Sequence, residues 1–240
     1  MGIKQQCGVY GKLPMHGDFV SRNLPAAFIK TWDEWLQLYI ASSKEQMGDE
    51  WLDIYLTSPI WRFVLSSGVI DQQHWAGIML PSVDQVGRYY PFSIVMPLDP
   101  ELNPFEFITS HNHWFDEIEE LALQALDEQF SVDQLVDEVN NVPVDFTLSQ
   151  TKTGQSFDLS SIQMDMAFDE QSLLSVYAGL LDSVMLKTMN CYSIWTTRGS
   201  EKITPCFMNV KNLPAANQLS AMMDGQWRYW DWPQPYSVNR

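Results

Sequence analysis

Three short apolar segments follow one another with little chain between them: Ile60-Trp-Arg-Phe-Val-Leu65, His74-Trp-Ala-Gly-Ile-Met-Leu80 and Pro91-Phe-Ser-Ile-Val-Met-Pro-Leu98. Their β-branched and aromatic content, bounded by Gly, Pro and Asp, reads as three β-strands. A parallel crossover takes a dozen residues or more, usually as a helix. Neither residues 66–73 nor residues 81–91 offer that, so the spacing predicts antiparallel pairing. Residues 7–20 add one or two short strands broken by turns. The sequence therefore predicts an α/β chain of the α+β kind, a mostly antiparallel sheet flanked by helices.

Helical periodicity supplies the flanking layers. After Pro25, suited to a first turn, Phe28, Trp32, Trp35, Leu36, Tyr39 and Ile40 recur on one face. Asp49 is placed to cap a shorter helix through Trp51, Ile54 and Tyr55. Asn103-Pro104-Phe105-Glu106 has the form of a capping box with proline at the first helical position. One helix over 104–128 is predicted behind it, with Phe107, His111, Trp114, Phe115, Ile118, Leu121, Ala122, Ala125 and Leu126 as its stripe. Ser131 and Gln134 cap a further short helix, and Val144–Leu148 reads as a strand. Residues 149–166 read as a long loop, and a helix runs through Leu173, Val176, Tyr177, Leu180, Leu181 and Val184. A hairpin of 191–197 and 203–210 turns at Arg198-Gly199-Ser200, and a last helix is predicted from Pro214 to Asp224.

Ten Trp, twelve Phe and nine Tyr in 240 residues require an extensive core. No apolar run reaches the roughly 18 residues of a membrane helix, and the first residues have no apolar signal-peptide core, so a cytoplasmic protein without membrane insertion is expected. Cys7, Cys191 and Cys206 lack metal-ligand or disulfide-framework spacing and read as structural. The net charge of −16 argues against nucleic acid, which needs a basic footprint. Thirteen acidic residues and no Lys or Arg lie between Arg88 and Lys152.

The polar corner Gly8–Phe19 fails as a P-loop, because Leu13 follows Gly11-Lys12 and Gln6 stands where the first glycine belongs. His16 and Asp18 could orient each other, but no nucleophile announces itself. His111 and His113 point about 200° apart on a helix and cannot share a metal; His111 reads as a core histidine. Asp84 and Arg88 are expected to form an ion pair holding the 81–91 turn, or else to touch a partner. No cofactor or metal is expected.

The runs Gly8–Pro25 (GVYGKLPMHGDFVSRNLP), Trp32–Leu36 (WDEWL), Pro59–Phe63 (PIWRF), Pro81–Phe92 (PSVDQVGRYYPF) and Tyr192–Ser200 (YSIWTTRGS) together resemble the TagF family of type VI secretion-associated proteins. Thr196 stands where that family's second tryptophan is expected. The resemblance spans about residues 8–230. It implies a longin-like first part over 1–130 and a smaller α/β part over 131–240, packed as one unit. It also implies a non-enzymatic cytoplasmic regulator, a post-translational repressor contacting proteins of the secretion apparatus such as a forkhead-associated scaffold. The motif residues Lys12, Asp18, Trp32, Trp35, Trp61, Asp84 and Arg88 are its candidate contacts. Charge patterning adds an acidic docking face of Asp116, Glu119, Glu120, Asp127 and Glu128 for a basic partner surface. The competing reading is a small-molecule or nucleotide-binding enzyme built on Lys12, His16, Asp18, Asp84 and Arg88.

Overall fold

The computed structural model describes residues 6–127, 131–146 and 170–236. Its centre is one seven-stranded sheet in which every pairing is antiparallel. The strands are β1 (Gly8–Gly11), β2 (Val20–Arg22), β3 (Trp61–Leu65), β4 (His74–Leu80), β5 (Phe92–Leu98), β6 (Tyr192–Thr197) and β7 (Cys206–Lys211), in the spatial order β2-β1-β5-β4-β3-β6-β7. The short linkers thus have the predicted effect: β3, β4 and β5 meander side by side. The C-terminal hairpin β6–β7 adds to the same sheet beside β3.

Helices cover both faces, which is why the central strands read as continuous apolar runs rather than alternating ones. Alternation survives in the sorting of side chains between two cores. Trp61, Phe63, Leu65, Trp75, Met79, Val95 and Trp195 face one side. There they pack on α1 (Ala26–Met47) and α2 (Trp51–Leu56): Phe28, Trp32, Trp35, Leu36 and Tyr39 of the predicted α1 stripe are buried, Ile40 is partly buried, and Tyr55 of α2 joins them. Val64, Ala76, Ile78, Phe92, Ile94, Met96, Tyr192 and Ile194 face the other side. That core is closed by α3 (Pro104–Ser110), α4 (Asn112–Leu126), α5 (Val132–Asn141) and α6 (Glu170–Met189). At Gly77 a Cβ would lie 2.1 Å from Ile94 O, so β4 and β5 approach there only because the position is glycine.

Several local expectations need correction. The helix over 104–128 is two helices, broken at His111, whose φ of −103° and ψ of 34° leave helical geometry. The stripe stays in phase across the break, so Trp114, Phe115 and Ile118 are buried as expected. Asn103 does cap α3, accepting from Phe105 N and Glu106 N. Glu106 does not close the box, because its carboxylate is turned inward to accept from Ser175 Oγ on α6. Asp49 lies inside a 3-10 turn and caps nothing with its side chain. Residues 143–146 form no strand, and the rest of the predicted strand 144–148, with the loop 149–166, lies outside the described residues. The last helix is only α7 (Ala221–Asp224), preceded by a 3-10 turn and ended by Gly225 with φ of 73°. Ser131 and Gln134 make the capping box of α5 as read.

Candidate functional site

The opening motif and the 81–91 turn come together at one end of the sheet. β1 pairs with β5 from Gly8↔Val95 to Gly11↔Phe92, so the chain leaving β1 at Lys12 runs beside the chain entering β5. The turn before β5 is closed by a bridge between Val83 and Tyr89 and by Asp84 N donating to Arg88 O at 3.1 Å. Gly87, at φ of 82°, supplies the left-handed residue that the turn needs.

Asp84 is the hub. Its Oδ1 accepts from Val86 N at 3.1 Å and Arg88 N at 2.8 Å. Its Oδ2 accepts from Arg88 Nε at 2.6 Å and from Lys12 Nζ. The Asp84 carboxylate is inaccessible and the Lys12 side chain is 4% exposed. Burial alone would raise the Asp84 carboxyl, but the hydrogen bonds from Lys12 and Arg88 outweigh it and hold the group well below the usual carboxylate range. Arg88 Nη2 also donates to Gly17 O, Gln85 N donates to His16 O at 3.1 Å, and His16 N donates to Leu13 O at 3.0 Å. Ser82 Oγ donates to Lys12 O at 2.6 Å. Two loops, 13–19 and 84–88, are therefore fastened to each other through a buried Lys12–Asp84 pair that the half-exposed Arg88 joins from the surface.

Beneath them lies a second polar knot. Tyr10 and Tyr90 both donate a hydroxyl to Asp33 Oδ1 at 2.6 Å, and Gln37 Nε2 donates to Oδ2 at 2.6 Å. Burial first, and then the Asp33 carboxylate, push both phenols far above their ordinary range. Phe19 stacks on Tyr10 with centroids 5.9 Å apart and meets Tyr90 edge-on at 5.0 Å. Lys12 Nζ sits 4.8 Å from the centre of the Phe19 ring. The outer surface of the two loops displays Met15, Phe19 and Val86, which are 48%, 45% and 67% exposed.

The predicted residues separate clearly. Lys12, Asp84 and Arg88 converge, and the expected Asp84–Arg88 ion pair is present. Asp18 stands apart, its Oδ1 accepting from Phe19 N, and His16 joins only through its backbone. Trp32, Trp35 and Trp61 are core residues whose indoles donate to Ser93 Oγ, Pro214 O and Met222 O. They offer a partner almost no surface. His111 is the buried histidine expected, its ring nitrogens on Phe107 O and Asp145 O.

Of the acidic face, Asp116 and Glu119 turn toward the sheet. Arg62 on β3, 5% exposed, donates from Nε to Glu119 Oε1 at 2.6 Å, from Nη2 to Glu119 Oε2 at 2.9 Å, and from Nη2 to Asp116 as well. Arg198 reaches Asp116 from the β6–β7 turn. Those two carboxylates are thus neutralised within the chain. Glu120 is exposed and accepts from Gln124 Nε2, Asp127 is exposed, and Glu128 lies outside the described residues. Sequence reasoning missed Arg62 and Asp33. The signal for Arg62 was a lone arginine in an otherwise apolar strand, which must find buried anions. For Asp33 it was an acid beside Trp32 at the edge of a buried helical stripe.

Among the described residues no group of His, Cys, Asp and Glu could hold a metal ion, and no helix is long and apolar enough to cross a membrane. A search of curated proteins gave no match. The whole chain is similar in fold to PA0076 from Pseudomonas aeruginosa PAO1, known from a crystal structure. The TM-score is 0.79, at 28% identity, over 98% of this chain and 99% of that one. The model of the TagF N-terminal domain, described as type VI secretion system-associated, matches residues 8–142. Both fastened loops lie inside that range. The chain belongs to the TagF family of type VI secretion system-associated proteins.

Proposed function

We propose that this chain is a non-enzymatic regulator of type VI secretion, acting in the cytoplasm as a post-translational repressor through protein contact. The contact is made by the loops 13–19 and 84–88. One observation carries this reading: a buried Lys12–Asp84 pair, joined from the surface by the half-exposed Arg88, is committed to holding two exposed loops together, and those loops present Met15, Phe19 and Val86 to solvent. Desolvating the Lys12 ammonium and the Asp84 carboxylate is costly and is offset only by close geometry. A rigid, partly apolar surface loses little conformational entropy when a partner binds.

The enzyme reading loses support from the same geometry. Both Asp84 oxygens already accept two hydrogen bonds each, so the carboxylate has no free lone pair directed at a substrate. His16 and Asp18 do not join it. The acidic face is also the weaker docking candidate, since Asp116 and Glu119 are already paired.

The partner proposed is a forkhead-associated scaffold protein of the secretion apparatus. The test is binding of that scaffold by purified wild-type protein and by Met15→Asp and Val86→Asp variants. Both side chains are exposed, so the variants should melt like wild type. Affinity should fall at least tenfold for each. Equal affinity in folded variants would refute the loops as the contact.

A further inference from the structure

The two edges of the sheet differ. One is β2, three residues long, flanked by the Arg22–Asp133 ion pair. Short, charged edges are the usual protection against unwanted pairing. The other is β7, six residues with sequence Cys-Phe-Met-Asn-Val-Lys, free of internal proline and of negative charge.

Its outward groups follow from the ladder. Ser66 N donates to Tyr192 O at 2.9 Å and Tyr192 N to Ser66 Oγ at 2.8 Å, so the backbone of Tyr192 faces β3. Asn212 N donates to Cys191 O at 3.3 Å, so Cys191 faces β7. Alternation then turns Ser193, Trp195 and Thr197 toward β7, opposite Val210, Met208 and Cys206. The N–H and C=O groups of Phe207, Asn209 and Lys211 point away from the sheet. Among the described residues no backbone group meets them.

We infer that β7 pairs antiparallel with β7 of a second copy, joining two sheets across a two-fold axis at Asn209. The edge is self-complementary in that register. Asn209 meets its own symmetry mate, and each Phe207 lies opposite a Lys211, whose stem and ammonium suit an aromatic ring. Phe207 is 55% exposed on the face shared with α3 and α6, 6.5 Å from Phe105. The chain carries −16 overall, so most surface contacts between copies bring acids together. This edge does not, because its single charge is a lysine. Backbone pairing over six residues falls short of the roughly 800 Å² per partner of a standard interface. The two-fold keeps both α6 helices, which pack on α3 and β6, on one face of the joined sheet, and their exposed Leu174, Tyr177 and Leu181 are the apolar area such a dimer would draw on.

The experiment is sedimentation velocity on the full chain over a concentration series. Wild type should sediment as a dimer of the 27.7 kDa chain and dissociate on dilution. Asn209→Pro removes an N–H that the fold does not use, and proline is tolerated on a sheet edge. It should be monomeric and still fold cooperatively, its melt lowered only by the loss of the long Asn209 Nδ2 donation to Ser193 O, 3.4 Å. Met208→Pro removes an N–H that β6 requires and should unfold the hairpin. Lys211→Glu replaces the cation with an acid and should raise the dissociation constant at least tenfold; it keeps the test valid should the proline variant fail to fold. A wild-type chain that is monomeric at every concentration overturns the inference. So does a dimer that survives both Asn209→Pro and Lys211→Glu.

Discussion

Replacing Arg62 with methionine tests how the second core is held. The Arg62 side chain, 6% exposed, projects from the sheet and bridges β3 to α4, where Asn112, Asp116 and Glu119 share one helix face. Methionine keeps most of the stem packing and the contact with the Phe115 ring, 5.4 Å from the guanidinium carbon. What it removes is the charge. Deleting one partner of a buried pair costs about 3–5 kcal/mol, because the other charge stays behind uncompensated. Here the lower end applies. Asp116 keeps Arg198 and is 40% exposed, while the Glu119 side chain is 14% exposed and carries most of the penalty. A loss of about 3 kcal/mol corresponds to roughly 6–12 °C in Tm for a chain of this size. The double variant Arg62→Met, Glu119→Met removes both the stranded charge and its partner. It should recover at least half of that loss, which a double-mutant cycle measures from denaturant melts. A single variant that costs under about 1 kcal/mol, or a double variant no better than the single, would refute the reasoning.

Other outcomes follow from the same packing. Asp84 has a depressed folded pKa, so the stability it contributes is present above the unfolded value of about 3.9 and is lost as pH falls below it. In Lys12→Met that acid-side slope should shrink, and amide exchange at Val86 and Arg88 should speed up. His74 is the opposite residue type with a related consequence. Burial lowers its pKa, only partly opposed by Pro100 O and Asp99, and Nδ1 accepts from Ser67 N while Nε2 donates to Pro100 O. The fold binds the neutral ring, so stability should decline as pH falls from about 6.5; His74→Gln should flatten that decline in melts from pH 7 to 5. Trp114→Ala, at a site 1% exposed, should cost about 3–5 kcal/mol.

Much of the architecture was legible because it is local. The bounds of β4 were read correctly, since Gln73 and Pro81 flank an unbroken apolar run. The Asp84–Arg88 pair was visible as an acid and a base on one tight turn. The break at His111 was not, because the apolar stripe keeps its phase across it and no Gly or Pro marks it. Long-range partners were also hidden. Lys12 reaches an acid 72 residues away and Arg62 reaches α4 more than fifty residues on; no spacing rule connects such positions. The placement of β6 beside β3, and hence the identity of the exposed sheet edge, likewise depends on pairing between distant segments.

The most direct test of regulation by contact at the paired loops is made in cells. A strain lacking this gene is complemented with wild type, Met15→Asp or Val86→Asp, and effector release through the type VI system is measured. Wild type should restore repression, while both variants, present at wild-type abundance, should leave secretion high. Full repression by both variants would contradict the proposed contact surface.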